Sequence, residues 1–249
     1  MRVNRWARSA MSYLPEGAAS AVDRVPSIRR GPHQIDDLVL RDFRRPNPVI
    51  VHAGVEIAAS VASIRRQLGL GQVHAFEPND RLHDELERAD CTVHGTLLAA
   101  HPGTAELHVP RYGTSWYDTQ ASLDHGTAAM FLGERRLAGY RPDRAKVDTL
   151  IVSAAGLDSF SLAPDVIVLD QRRAAADAIR GAMETLVRHR PIVRIDGGDG
   201  REPLNLGVAE YLPARYDPGA DCMVLEQPGM QTTWWIHPHH HSLLGVSVV

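Results

Sequence analysis

A glycine at position 54 and a glutamate 23 residues later, at position 77, have the spacing of a loop glycine and the acid that holds a ribose. A carboxylate suits that task because it accepts hydrogen bonds from both ribose hydroxyls. Gly54 closes the β-branched run VIVHAG, and Glu77 closes QVHAFE. In HAFEPN, Phe76 and Pro78 flank the acid and are expected to hold it in place. Three further groups lie in or just past apolar runs: His52 in VIVHAG, Asp170 in DVIVLD, and Asp196, followed by Gly197, in PIVRIDG. Reaction at a hydroxyl needs a base within hydrogen-bond reach. Asp170, Asp196, His52 and, from a polar stretch, His125 are the candidates. No GxSxG elbow, P-loop or HExxH is present.

These residues need elements to position them. PVIVHAG predicts a strand, and the residues after it a helix with Ile57, Val61, Ile64 and Leu68 on one face. QVHAFEP predicts a second strand. NDRLHDELERA predicts a helix capped by Asn79. CTVHGTLLAA and TAELHVP predict two strands split at Pro102-Gly103. DVIVLD, the helix AAADAIRGAMETLVRHR and the strand PIVRIDG resume the alternation, and DCMVLEQ and TTWWIHP are two strand candidates in the tail. Strands alternating with helices imply an α/β fold, a mostly parallel central sheet flanked by helices. In such a sheet the site lies beyond the carboxyl ends of the strands. Two regions break the pattern. Residues 1–47 form an Arg-rich lead segment of expected short helices, ahead of a main domain at 48–249. Residues 111–145 form a polar, aromatic insertion expected to act as a lid. It brings Trp116, Tyr117, Asp118 and His125.

Composition narrows the function. The chain has 249 residues, 44% of them hydrophobic, and a formal net charge of −3. That argues against a whole-molecule field for nucleic acid. Residues 1–45 hold nine arginines and five acids, which suits contact with an acidic partner or, more plainly, a solvated helical cap. Cys91 and Cys222 form neither a disulfide framework nor a metal knuckle. No stretch approaches the ~20 apolar residues of a membrane span, so a reduced, cytoplasmic protein is expected. HPHHHS, at 237–242, lacks the carboxylate or cysteine spacing of a metal site and is expected to be an exposed turn, with no metal bound. Trp234 and Trp235 should point to opposite faces of a strand, both into core.

The segments VIVHAGVEIA, VHAFEPND, GLDSF, DVIVLD and IRGAMETLVRHRPIVRID resemble, in order and spacing, the FkbM-like methyltransferases. These are S-adenosylmethionine-dependent enzymes, mostly O-methyltransferases of sugars and natural products. The resemblance spans about residues 48–197, with AFEPN and RGAMETLVRHRPIV its strongest pieces. It implies a Rossmann-like methyltransferase fold, S-adenosylmethionine as cofactor and a small-molecule acceptor. It places His52, Gly54, Glu56, Glu77 and Asn79 at the cofactor. Asp170, Asp196 and His125 would face the acceptor, with Trp116, Tyr117, Arg172 and Arg173 as substrate contacts.

The departures from the family text have physical meaning. The family's loop reads Asp-Val-Gly-Ala-Asn-x-Gly; here it is His52-Ala53-Gly54-Val55-Glu56-Ile57-Ala58. Ala58 adds a methyl group where a glycine lets the ligand approach. A neutral His52 could accept a hydrogen bond from the cofactor's ammonium, whereas a protonated one would repel it. The family's later motif reads Lys-Ile-Asp-Val-Glu-Gly-x-Glu; here Asp170 is kept, but Arg172 and Arg173 bring positive charge. This pattern also fits an inactive or repurposed relative, working as a partner in a homo- or hetero-oligomer or gripping an anionic substrate with the two arginines.

Overall fold

The structure is a computed structural model, and it describes residues 45–54, 61, 71–137, 139–170, 174–195, 205–217, 222–225, 233–242 and 247–248. Glu56, Arg172, Arg173, Asp196, most of the lead segment and most of the helix expected after Gly54 lie outside these residues. Of that helix only Val61 is described, and it is helical and buried.

Thirteen strands are described: β1 (Val49–Gly54), β2 (Gln72–Phe76), β3 (Thr92–His94), β4 (Leu97–Leu98), β5 (Gly103–Tyr112), β6 (Ser115–Trp116), β7 (Ala145–Ala155), β8 (Val166–Asp170), β9 (Ile192–Ile195), β10 (Leu212–Asp217), β11 (Cys222–Leu225), β12 (Thr233–Ile236) and β13 (Ser247–Val248). Nine of them form one sheet in the order β13-β11-β10-β12-β9-β8-β1-β2-β3. The run β9-β8-β1-β2-β3 is wholly parallel. β12 then runs antiparallel to both β9 and β10, and β11 antiparallel to β10. The parallel part has the order 3-2-1-4-5 of a doubly wound Rossmann-like sheet. The reversed β12, set between β9 and β10, departs from the plain dinucleotide-binding order 3-2-1-4-5-6.

Alternation along the strands makes two cores. Ile50, Val73, Ala75, Val168, Ile192 and Trp234 face one side with Val61. Val51, Ala53, Phe76, Leu169, Val193 and Trp235 face the other. The two tryptophans do point to opposite faces, both into core. On the second side lie α3 (Ala175–Arg180) and α4 (Met183–His189); their order counts α1 (His83–Arg88) and α2 (His125–Phe131) ahead of them. The helix expected over residues 174–190 is therefore broken at Gly181-Ala182. The break has a packing cause. A Cβ at Gly181 would sit 2.0 Å from the Ala99 carbonyl oxygen, and one at Gly156 would sit 2.8 Å from the Gly181 carbonyl oxygen. Three backbones meet there, and no side chain fits between them. Asp158 then accepts hydrogen bonds from the backbone N–H groups of Glu184 (3.0 Å) and Thr185 (2.8 Å) and restarts the helix.

The chain divides into two compact units, one including Glu106–Ile151 and the other Gly31–Ala105 with Val152–Val249. In the first, the stretch read as a lid is bounded by long strands. β5 and β6 form a hairpin, with Arg111 opposite Trp116, and β7 lies beside β5. Leu107, Val109, Tyr117, Ala128 and Leu137 are buried. β7 and β10 are strands the sequence reading did not anticipate. CTVHGTLLAA holds two short strands of different sheets, since β3 pairs with β2 and β4 with β7.

Candidate functional site at the carboxyl ends of the parallel strands

β1 has β2 on one side and β8 on the other, so the chain leaves it in opposite directions across the sheet. In open α/β sheets such a reversal is where ligands bind, beyond the carboxyl ends of the strands. Gly54 lies there with φ +122°, opposite Asp170 in the β1–β8 register. A Cβ at Gly54 would meet the Asp170 carbonyl oxygen at 2.3 Å. Glycine is thus demanded by the approach of β8 as well as by the backbone angle.

Ala53 pairs with Phe76, so Gly54, the last residue of β1, and Glu77, just past the end of β2, come at neighbouring strand ends. Glu77 is only 6% exposed. Its carboxylate accepts the backbone N–H of Asn79 at 2.7 Å. Its own N–H donates to the His94 carbonyl (3.1 Å), and its carbonyl accepts from the His83 ring (2.8 Å). Asn79, itself buried, caps the following turn by accepting from the N–H of Arg81. Hydrogen bonds thus fix both the carboxylate and the backbone of Glu77. The ring of Phe76 stacks on His94 at 4.4 Å, and Phe160 meets both edge-on. His74 and His94 approach at 3.1 Å between ring nitrogens. Burial lowers the pKa of each below the ordinary imidazole value. The sequence reading passed over this histidine pair, although the period of two puts His74 on the same face as Phe76.

His52 lies two residues before the end of β1 and is 1% exposed. Neither ring nitrogen has a hydrogen-bond partner. Burial first, and then the charge of Arg194, lower its pKa to about 3, so the imidazole is uncharged at neutral pH. His52, Val168, Arg194 and Trp234 stand in one register row across β1, β8, β9 and β12. Arg194 is 2% exposed, and its guanidinium lies 5.8 Å from the Trp234 ring centre. A charged side chain in the middle of that face was not legible from PIVRIDG.

The unit containing Glu106–Ile151 gathers the other candidates. Trp116 lies under the Arg111 guanidinium at 5.3 Å, and Tyr117 is buried against Phe131 at 4.7 Å. Exposed His125 begins α2 after its cap Asp124 and meets buried His108 edge-on at 5.3 Å. Tyr117 and Phe131 therefore serve that unit's own core.

The expectation of an exposed turn at HPHHHS is corrected. His237 and His240 are buried. The turn follows the carboxyl end of β12, which is antiparallel to β9, so it lies at the amino ends of the parallel strands, away from Gly54 and Glu77. Among the described residues no group of three or more His, Cys, Asp or Glu is arranged to hold a metal. No helix among them is long and apolar enough to cross a membrane.

No protein-family model and no curated protein matches the chain. Among solved structures, the chain is similar to the methyltransferase FkbM from Methylobacillus flagellatus KT, at 14% identity and a TM-score of 0.48, over 82% of this chain and 49% of that one. The chain thus spans about half the length of that protein. It is also similar to a precorrin-6y C5,15-methyltransferase from Geobacter metallireducens GS-15, at 12% identity and a TM-score of 0.37, over 82% and 88% of the two chains. A cofactor-bound protein from MTB aligns at 14% identity and a TM-score of 0.39, over 94% and 90%. At these values the α/β, Rossmann-like assignment rests on the strand order and register.

Proposed function

We propose that the chain binds S-adenosylmethionine at the carboxyl ends of β1 and β2 and methylates a hydroxyl of a sugar or specialised metabolite. The observation that carries this reading is Glu77, a buried carboxylate fixed by the Asn79 N–H one strand away from Gly54. The donor set fits an adenosyl group, because a ribose offers two hydroxyl donors and Glu77 is an acceptor already oriented. S-adenosylmethionine would supply an electrophilic methyl group there. Gly54 keeps the β1 end close to β8, and Asp170 places a carboxylate at the neighbouring strand end, where it can take the proton of an acceptor hydroxyl. Asp196, in the same unit, is the other acceptor-side candidate.

A second reading rests on His52. A neutral imidazole stands where the resembling family has an acid, and it lies buried beside Arg194. On that reading the fold serves as a partner without catalysis, or takes an anion through Arg172 and Arg173. Calorimetric titration with S-adenosylmethionine and S-adenosylhomocysteine separates the two. Binding that weakens about ten-fold or more in Glu77→Gln, a loss of about 1.4 kcal/mol, supports the first. A folded wild-type protein that binds neither compound removes it.

A further inference from the structure

Glu77 is followed by Pro78, which has no N–H and a fixed φ. The peptide between them therefore has one hydrogen-bonding group, the Glu77 carbonyl. That carbonyl accepts from Nε2 of His83 at 2.8 Å. A carbonyl oxygen only accepts, so Nε2 carries the proton. The bond governs more than this one peptide. With φ of Pro78 fixed, the tilt of the Glu77–Pro78 plane helps set where the N–H of Asn79 points. That N–H is the donor that holds Glu77 Oε1 at 2.7 Å. On its other side Glu77 is tied to β3, where its own N–H donates to the His94 carbonyl at 3.1 Å.

The surrounding chain brings His83 to this contact. Asn79 closes a turn, with its carbonyl accepting from the N–H of Leu82 at 3.1 Å and its side chain from that of Arg81. His83 follows as the first residue of α1, and its ring reaches back six residues to Glu77. The ring lies against Gly95, just past β3. A Cβ at Gly95 would stand 3.2 Å from Cε1 of His83, closer than ordinary van der Waals contact, so glycine leaves the ring its place. Glu77, Asn79, His83, His94 and Gly95 all belong to one unit of the chain.

We propose that His83 is a positioning residue for the ribose-binding carboxylate: by clamping the Glu77–Pro78 peptide it aims the side chain of Glu77. The inference rests on the reading of Glu77 as the acid that takes the ribose hydroxyls. His83 acts through Glu77 and Asn79 rather than on the ligand, so its effect on affinity requires the carboxylate to be there.

Two variants separate the donor from the ring. Gln places its side-chain nitrogen where His has Nε2 and keeps the donor, whereas Phe keeps a ring and loses it. The first measurement needs no cofactor. Exchange of the Asn79 amide in the full chain should be about ten-fold faster in His83→Phe and close to wild type in His83→Gln. The second is calorimetry with S-adenosylhomocysteine. His83→Phe should weaken binding about ten-fold, and His83→Gln less than about two-fold. In a Glu77→Gln background, His83→Phe should change affinity less than about two-fold, because no carboxylate is left to aim. Unchanged Asn79 exchange or wild-type affinity in folded His83→Phe overturns the proposal. An equal loss of affinity with and without the Glu77 carboxylate also overturns it, since that is what general loosening of the fold would give. Should His83→Phe fail to fold, His83→Ala, which suits a helix start, takes its place with the same expected and overturning results. A wild type that binds no S-adenosylhomocysteine removes the cofactor reading and with it the ribose role of His83, whereas binding with unchanged Asn79 exchange in the variant removes only the positioning role.

Discussion

Two single residues carry sharp consequences. Gly54 combines φ +122° with a neighbouring carbonyl 2.3 Å from where a Cβ would stand. Gly54→Ala should cost about 3 kcal/mol, from backbone strain and overpacking, measurable by urea unfolding. His52 is folded as a neutral imidazole with a pKa of about 3, against about 6.5 in the unfolded chain. Its contribution to stability is fully present above about pH 6.5 and is lost as the pH falls toward 3, at up to about 1.4 kcal/mol per unit. His52→Leu removes two unpaired nitrogens, so it should stabilise the protein by about 1 kcal/mol at neutral pH and flatten the acid dependence. Stability measured by urea at several pH values checks both signs. The role of Gly54 in packing against β8 could not be read from its spacing to Glu77, because it depends on which strand becomes the neighbour.

Among the elements, the segments that resemble family text divide by purpose. AFEPN positions a carboxylate. GLDSF and IRGAMETL meet where Gly156, Gly181 and the Ala99 backbone crowd together, and Asp158 caps α4. These are packing and capping features, so Gly181→Ala should destabilise more than Gly156→Ala, as the 2.0 Å and 2.8 Å approaches imply. Asp158→Ala should lose about 1 kcal/mol as a lost helix cap. Chemical denaturation of the three variants gives the order directly. Periodicity revealed β1, β2, β8, β9 and β12, because each is an apolar run bounded by turn residues. β10 escaped because LPARYD mixes proline and charge. β7 escaped because AKVDTLIVSAA begins inside a polar stretch and lies in a separate sheet.

For the whole molecule, the parallel order β9-β8-β1-β2-β3 follows from alternating strands and helices, whereas the insertion of β12 between β9 and β10 requires long-range pairing that no local pattern encodes. The placement of Gly54, Glu77 and Asp170 at adjacent strand ends was legible, because each closes an apolar run. Its histidines were not, because burial decides whether an imidazole is charged, paired or silent. His237 and His240 became structural for the same reason. The central claim is that an adenosyl group is held by the Glu77–Asn79 corner. Hydrogen exchange with and without S-adenosylhomocysteine tests it most directly. Protection should rise at Phe76–Asn79 and at Gly54 and stay unchanged at His237–His240. Unchanged exchange at Phe76–Asn79 at a concentration where the compound is bound, or protection confined to another part of the chain, would contradict the account.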